Sequence, residues 1–265
     1  MPTAADLHPR TRERLAGWAA DPDVVGAIWV GSRSRGYGDG MSDDDLEILL
    51  TPAAHARIAP GDDFEVEPDV GSDPPRLIYD AWRTTLGAVV AKAASIADVD
   101  HWPYEAAVVL LDRDGSVARA VAANAAMPQA FRRARLQHNA IDAILATSRA
   151  RKGLKRDFPY ATRLLLARGA KALTRVAFAL EDRWTPLDHW LEPELASLHD
   201  VAGAVPRLRQ AILAADPEAL QAACDALRPQ LEAWGVPPLG SPLAAFHAEL
   251  LGPGRADERK LHALD

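Results

Sequence analysis

Cysteine is all but missing from this chain: Cys224 is the one such residue among 265. No intrachain disulfide and no cysteine-built zinc cage can form, which suits a reducing compartment. Basic charge is in deficit, with 30 Lys and Arg against 37 Asp and Glu and a formal net charge of −7. A chain of that sign lacks the basic excess that non-specific nucleic-acid binding draws on, so no nucleic-acid partner is expected. Long apolar runs are absent too. The run from Ala106 to Leu111 falls far below the roughly 20 residues that span a bilayer. The opening MPTAADLHPR carries charges where a signal peptide needs an apolar core. The expectation is a soluble cytoplasmic protein with no membrane partner. What the chain does contain is ordinary, 48% hydrophobic and 25% charged residues, the balance of a folded protein. Its length suits one large domain or two modest ones with real cores.

Composition changes along the chain. Residues 1–118 alternate short β-type runs with Gly, Asp and Pro clusters, whereas 119–265 are rich in Ala and Leu at helical spacing. The first segment predicts a helix over 10–20, then a strand over Val24–Val30 whose unbroken apolar character suits burial on both faces. Further strands are expected at Leu46–Leu50, Phe64–Glu67, Arg76–Asp80 and Ala106–Leu111. A helix is expected over Ala81–Lys92, with Asp80 as its N-cap. Four more are predicted near 128–152, 160–180, 205–213 and 217–234, and Gly252-Pro253-Gly254 sets off a charged tail. The fold class is α+β, a mixed sheet with helices followed by a helical bundle. An acceptor cleft between two such domains is the expectation, since small-molecule sites commonly form there.

The informative segment runs from Val30 to Ile48. A buried strand delivers Gly31-Ser32 to a turn where backbone can approach a ligand closely. A helix starting there would favour a phosphate, and Arg35 could add a charge-assisted contact. Asp43 and Asp45 stand two apart at the start of the next strand, so both carboxylates point the same way. Carboxylates held that close repel unless a cation offsets them. A hard divalent ion takes oxygen ligands and keeps substrate phosphates in its shell. An isolated acidic triplet would read as a solvated turn. Gly-Ser after a buried strand, at this distance, favours a metal site and phosphoryl or nucleotidyl transfer.

Gly31-Ser32 followed by Asp43-Asp44-Asp45 resembles the Gly-Ser…Asp-x-Asp signature of the DNA polymerase β-like nucleotidyltransferase superfamily. The stretch Gly31-Ser32-Arg33-Ser34-Arg35 is most similar to the kanamycin (aminoglycoside) nucleotidyltransferases. Weaker similarity continues through Tyr79-Asp80 and Trp102-Pro103 to Asp112-Arg113-Asp114-Gly115. The resemblance implies a nucleotidyltransferase sheet, a helical substrate-binding domain and two Mg²⁺ ions held by Asp43, Asp45 and a third acid. Gly31, Ser32, Arg35 and Ser42 would meet the nucleotide, and Lys152 or Lys155 its phosphates. Glu65, Glu67 and Asp80 compete for the third carboxylate, with Glu67 favoured from its offset to the Tyr79-Asp80 match. One departure stands out: Ala146 to Lys152, where the kanamycin enzymes carry a glutamate base, contains no acid. The implied reaction moves AMP from ATP to a small-molecule hydroxyl of the aminoglycoside kind. The alternatives are a protein-modifying nucleotidyltransferase acting on a partner toxin and a non-catalytic nucleotide-binding relic. The resemblance also admits a homodimer with a shared site.

Outside that segment the bland readings prevail. Trp184 and Trp190 could stack on a base or sugar, but core packing is the default. Cys224, among alanines and leucines, reads as a small inert core residue.

Overall fold

The structure, a computed structural model, describes residues 2–236. The expected break at Gly252-Pro253-Gly254 lies outside the described residues. The chain divides into two compact units, Met1–Ala126 and Met127–Asp265. It is α+β, with the sheet in the first unit and helices in the second.

The first unit runs α1 (Pro9–Ala20), β1 (Val24–Val30), α2 (Gly31–Ser34), β2 (Asp44–Leu50), α3 (Pro52–His55), β3 (Phe64–Asp69), β4 (Arg76–Thr85), α4 (Leu86–Lys92), β5 (Val108–Asp112) and α5 (Ser116–Ala125). A 3-10 turn over Trp102–Ala106 precedes β5. The five strands form one sheet in the order β3-β4-β2-β1-β5. β2 and β4 pair in parallel and the other neighbours antiparallel, so the sheet is mixed.

The unbroken apolar run of β1 has the predicted consequence. Trp29 belongs to one buried cluster with Trp18, Leu46, Ile48 and Tyr79. Ile28 belongs to another with Leu49, Val89, Tyr104 and Val117. Successive residues of a strand face opposite ways, so a strand with helices on both sides must be apolar at every position. α1 starts where His8 accepts from the Arg10 N–H and Pro9 occupies the first turn, where a missing N–H costs nothing.

Two expectations give way here. No helix starts at Ala81: β4 continues to Thr85, and α4 begins at Leu86 under a Thr85 cap that accepts from the Ala88 N–H. Pairing along the whole length of β2, from Asp44 opposite Tyr79 to Leu50 opposite Thr85, outweighs the local signal. Aromatic and β-branched Trp82, Thr84 and Thr85 suit the strand. The boundary after residue 118 falls inside α5, whose Val117 and Ala120 are buried against β1 and β2 residues. The first unit therefore extends to Ala126.

The second unit contains α6 (Gln129–Lys155), α7 (Pro159–Leu180), α8 (Leu191–Ala196), α9 (Ala204–Leu213) and α10 (Pro217–Ala233). Its alanine bias lets the helices come close. A Cβ on Gly169 of α7 would lie 3.0 Å from Ala146 Cβ on α6 and 2.7 Å from Leu220 Cδ2 on α10. Trp184 is a core residue, 1% exposed, with the Arg135 guanidinium 5.1 Å from its ring. Cys224 is buried, and burial pushes its thiol up to about 12. No described helix is long and apolar enough to cross a membrane.

Candidate active site

β1 ends at Val30, directly opposite Asp45 of β2. The chain then turns at Gly31, whose φ is +82°, a conformation that disfavours any side chain. Space demands glycine as well: a Cβ there would lie 1.9 Å from Asp45 Oδ2. The Gly31 backbone and the Asp45 carboxylate thus pack directly together. The expected helix is only the four-residue turn α2, too short for a macrodipole. Its geometry is held locally, with Ser34 Oγ donating to the Gly31 carbonyl at 3.0 Å and the Tyr37 N–H to the Ser32 carbonyl at 2.9 Å.

On the other side of Asp45, across the parallel pairing of β2 and β4, stands Asp80. The two are register partners, so their side chains emerge from the same face of the sheet. Burial pushes Asp45 up to about 7, helped by the charges of Asp80, Asp43 and Asp44. Burial and the Asp43 charge push Asp80 up to about 6. Like charges that oppose one another's ionisation in a partly dry site are what a cation would relieve.

Asp44 faces the opposite way and does different work. Fully buried, it accepts from the His8 N–H at 2.9 Å and ion-pairs with Arg33 at 3.2 Å. Arg33 also donates to the Asp6 carbonyl at 2.8 Å. The middle acid of the triplet therefore fastens the N-terminal segment to the turn after β1.

The third carboxylate is where the structure departs from the sequence expectation. Glu67 is the register partner of Tyr79, not of Asp80, and it ion-pairs with Arg10 of α1 at 2.8 Å. Glu65 is bound by Arg14 at 2.7 Å, by the Tyr79 hydroxyl at 2.8 Å and by Arg83. Both glutamates tie β3 and β4 to α1 on the Tyr79 face. By strand parity the residue beside Asp45 in β4 is Asp80, the rival in the sequence reading.

The predicted nucleotide contacts are likewise sorted. Arg35 donates to the Trp102 carbonyl, lies 4.1 Å from that ring and sits 3.6 Å from Glu105. Its side chain is 5% exposed, so it braces the turn against the 3-10 segment and is not extended toward a ligand. Ser42 Oγ donates to Asp39 Oδ1 at 2.9 Å and accepts from the Asp39 N–H at 3.1 Å, closing its own loop. Ser32 is buried at the turn. Lys152 is exposed in the last turn of α6, in the second unit.

One group escaped the sequence reading. Glu47, two residues beyond Asp45 on the same face of β2, accepts from Lys92 Nζ at 2.7 Å and from the Tyr104 hydroxyl at 2.6 Å. Lys92 Nζ also reaches the Tyr104 oxygen at 2.7 Å. The signal was the strand's two-residue period, carried one step past the motif. Glu47 is already neutralised by Lys92 and closes the row of acids.

Among the described residues, no three His, Cys, Asp or Glu side chains form a ready-made metal cage. The donor set still fits a hard divalent cation. Mg²⁺ binds through one or two carboxylates and completes its shell with water and substrate phosphates. Asp45 and Asp80, with Asp43 close enough to raise both, supply oxygen donors and uncompensated negative charge.

Comparison with known proteins adds little detail. A family model described as a domain of unknown function, DUF4037, matches residues 102–191. No curated protein matches the chain. Among solved structures, the chain is similar to a nucleotidyltransferase-like protein from Exiguobacterium sibiricum 255-15. The two share 14% identity and a TM-score of 0.46, covering 92% of this chain and 79% of that one.

Proposed function

We propose that this chain is a Mg²⁺-dependent nucleotidyltransferase that moves AMP from ATP to a hydroxyl of a small molecule, of the aminoglycoside kind. The observation that carries the reading is the row formed by Gly31, in the turn directly after β1, Asp45 on β2 and Asp80 on β4: a glycine turn packed on one carboxylate, and a second carboxylate beside it in register. The Gly-Ser turn offers backbone to phosphate oxygens, and Asp43, Asp45 and Asp80 would hold the metal. Bound there, Mg²⁺ would neutralise the phosphates and stabilise charge on the leaving pyrophosphate.

The chain's own residues supply the rest. The acceptor oxygen attacks the α-phosphorus, a new P–O bond forms and the bond to the bridging oxygen breaks. Pyrophosphate leaves with that electron pair. Asp80, the carboxylate in register beside Asp45, is assigned to take the hydroxyl proton. This assignment also accounts for the missing acid between Ala146 and Lys152: the base is on the sheet.

The test is thermal stability with ATP, CTP, GTP or UTP, each with and without Mg²⁺. Ligand at roughly 100 times its dissociation constant stabilises the folded state by about 2.7 kcal/mol. A rise that needs both metal and nucleotide, and is lost in Asp45→Asn, supports the reading. A wild-type chain that no Mg²⁺–nucleotide pair stabilises overturns it.

A further inference from the structure

The face that carries Asp45 and Asp80 is unevenly covered. Over β1, β2 and β5 it is buried, where Ile28 and Leu49 pack with Val89 of α4, Tyr104, and Val117 of α5. Over β4 and β3 it is open, and what stands there is apolar. Trp82 is 48% exposed, and Phe64 and Val66 are each 45% exposed. Register puts all three beside the acids: Val66 is opposite Asp80, and Phe64 is opposite Trp82, two residues beyond Asp80 on the same face. Two strand residues span about 6.6 Å. The Phe64 and Trp82 rings are 5.7 Å apart between centroids and tilted by 53°. Together they form a two-ring ledge. Asp80, along β4, borders it as a hydrogen-bond acceptor, and Glu47, opposite Trp82 on β2, is engaged by Lys92 and Tyr104.

Exposed aromatics beside a polar row differ from a solvated sheet edge, which charged side chains normally protect. We propose that Phe64 and Trp82 are the specificity-determining residues for the acceptor, which is a ring alcohol, a sugar or cyclitol, packing its apolar face on the ledge and presenting one hydroxyl to Asp80. The inference rests on the nucleotidyltransferase reading, which supplies the direction. In an in-line displacement the entering and leaving oxygens lie on opposite sides of phosphorus. Gly31 and Ser32 place the leaving phosphates on the β1 side of Asp45. The entering hydroxyl then comes from the Asp80 side, where the ledge is. A ring with C–H groups on its face and hydroxyls on its edge matches aromatic surface bordered by carboxylates.

The experiment labels the full chain with 5-fluorotryptophan and follows the ¹⁹F resonance of Trp82, assigned with Trp82→Phe. Methyl β-D-glucopyranoside, myo-inositol and kanamycin are the ring probes, and glycerol is the open-chain control. Each is titrated with and without Mg²⁺ and a non-hydrolysable ATP analogue. The expected result is that at least one ring probe, and not glycerol, moves the Trp82 signal, and that Phe64→Ala weakens this binding about tenfold. Phe64→Ala keeps the Mg²⁺–nucleotide stabilisation, which shows that the variant is folded. A Trp82 signal that no ring probe moves overturns the proposal. So does a signal moved by the nucleotide analogue alone, which would place the base on the ledge. A signal that follows protein concentration, with dimerisation seen in sedimentation and lost in Phe64→Ala, makes the ledge a self-interface and also overturns it. Loss of the Mg²⁺–nucleotide stabilisation in the wild-type chain would instead remove the underlying reading, a separate measurement.

Discussion

Gly31 and Gly36 make a controlled pair for testing the packing of the turn on Asp45. Their backbones are alike, with φ of +82° and +81°. Their surroundings are opposite: a Cβ on Gly36 meets nothing within 4 Å, whereas one on Gly31 lies 1.9 Å from Asp45 Oδ2 and 2.6 Å from Asp45 Cγ. Alanine at Gly36 incurs the left-handed backbone penalty alone, about 1–2 kcal/mol. Alanine at Gly31 incurs that penalty plus an overpacking cost of about 1–3 kcal/mol. The predicted difference is therefore about 1–3 kcal/mol, measured as the shift in urea midpoint at unchanged slope. A double-mutant cycle sharpens the test. Asp45→Ala removes the carboxylate and leaves only Asp45 Cβ, at 3.0 Å, so in that background most of the extra cost of Gly31→Ala should vanish. Equal losses for Gly31→Ala and Gly36→Ala, or an extra cost that persists without the Asp45 carboxylate, would refute the close approach on which the site geometry depends.

Other expectations follow from the same geometry. Asp80→Asn should lower the transfer rate by about 10²–10⁴-fold, the usual worth of a general base, while Glu67→Gln stays near wild type; a steady-state pyrophosphate assay separates the two carboxylates. Asp45→Asn should raise the thermal stability of the metal-free chain, because it removes a buried charge beside Asp80 and Asp43, while abolishing stabilisation by Mg²⁺ and nucleotide; a metal-free variant less stable than wild type would contradict the repulsion inferred at the site. Burial alone would raise Glu65, but hydrogen bonds from Arg14 and Tyr79, with the Arg14 and Arg83 charges, hold it at about 2 against 4.5 unperturbed. Its folded-state value is depressed, so its contribution is present above about pH 4.5 and lost as pH falls toward 2. Glu65→Gln should flatten the acid limb of the melting profile in that window. In the helices, Gly17→Ala in α1, where the nearest atom is Arg14 Nη1 at 3.9 Å, should stabilise by about 0.5–1 kcal/mol. Gly169→Ala in α7, with Leu220 Cδ2 at 2.7 Å and Ala146 Cβ at 3.0 Å, should destabilise by about 1–3 kcal/mol despite the better helix propensity, as thermal melts will show.

Some of this protein was legible in its residues alone. The unbroken apolar run Val24–Val30 had to be a strand covered on both faces, because burial on one face would have left alternate positions polar. Gly31-Ser32 could be read as a turn after a buried strand, and Asp45 as a strand acid close behind it; Asp43 itself precedes β2, so the two-residue period does not place it. That same period, applied onward from Asp45, would have reached Glu47. The long Ala- and Leu-rich helices declared themselves by spacing. Tertiary structure decided what depends on pairing between distant segments. Asp80 and Glu67 are both acids on apolar stretches, and local pattern does not rank them. The parallel register of β2 with β4 does, by setting Asp80 beside Asp45 and leaving Glu67 opposite Tyr79 with Arg10. The end of β4 was decided in the same way, because seven paired residues along β2 outweigh a local preference for helix at Ala81. Arg35, read in the sequence as a phosphate contact, is held by Trp102 and Glu105, some seventy residues on. Register and long-range partners are properties of the assembled sheet. A side chain's neighbours across strands are fixed by hydrogen bonding between segments whose separation along the chain carries no information about their alignment.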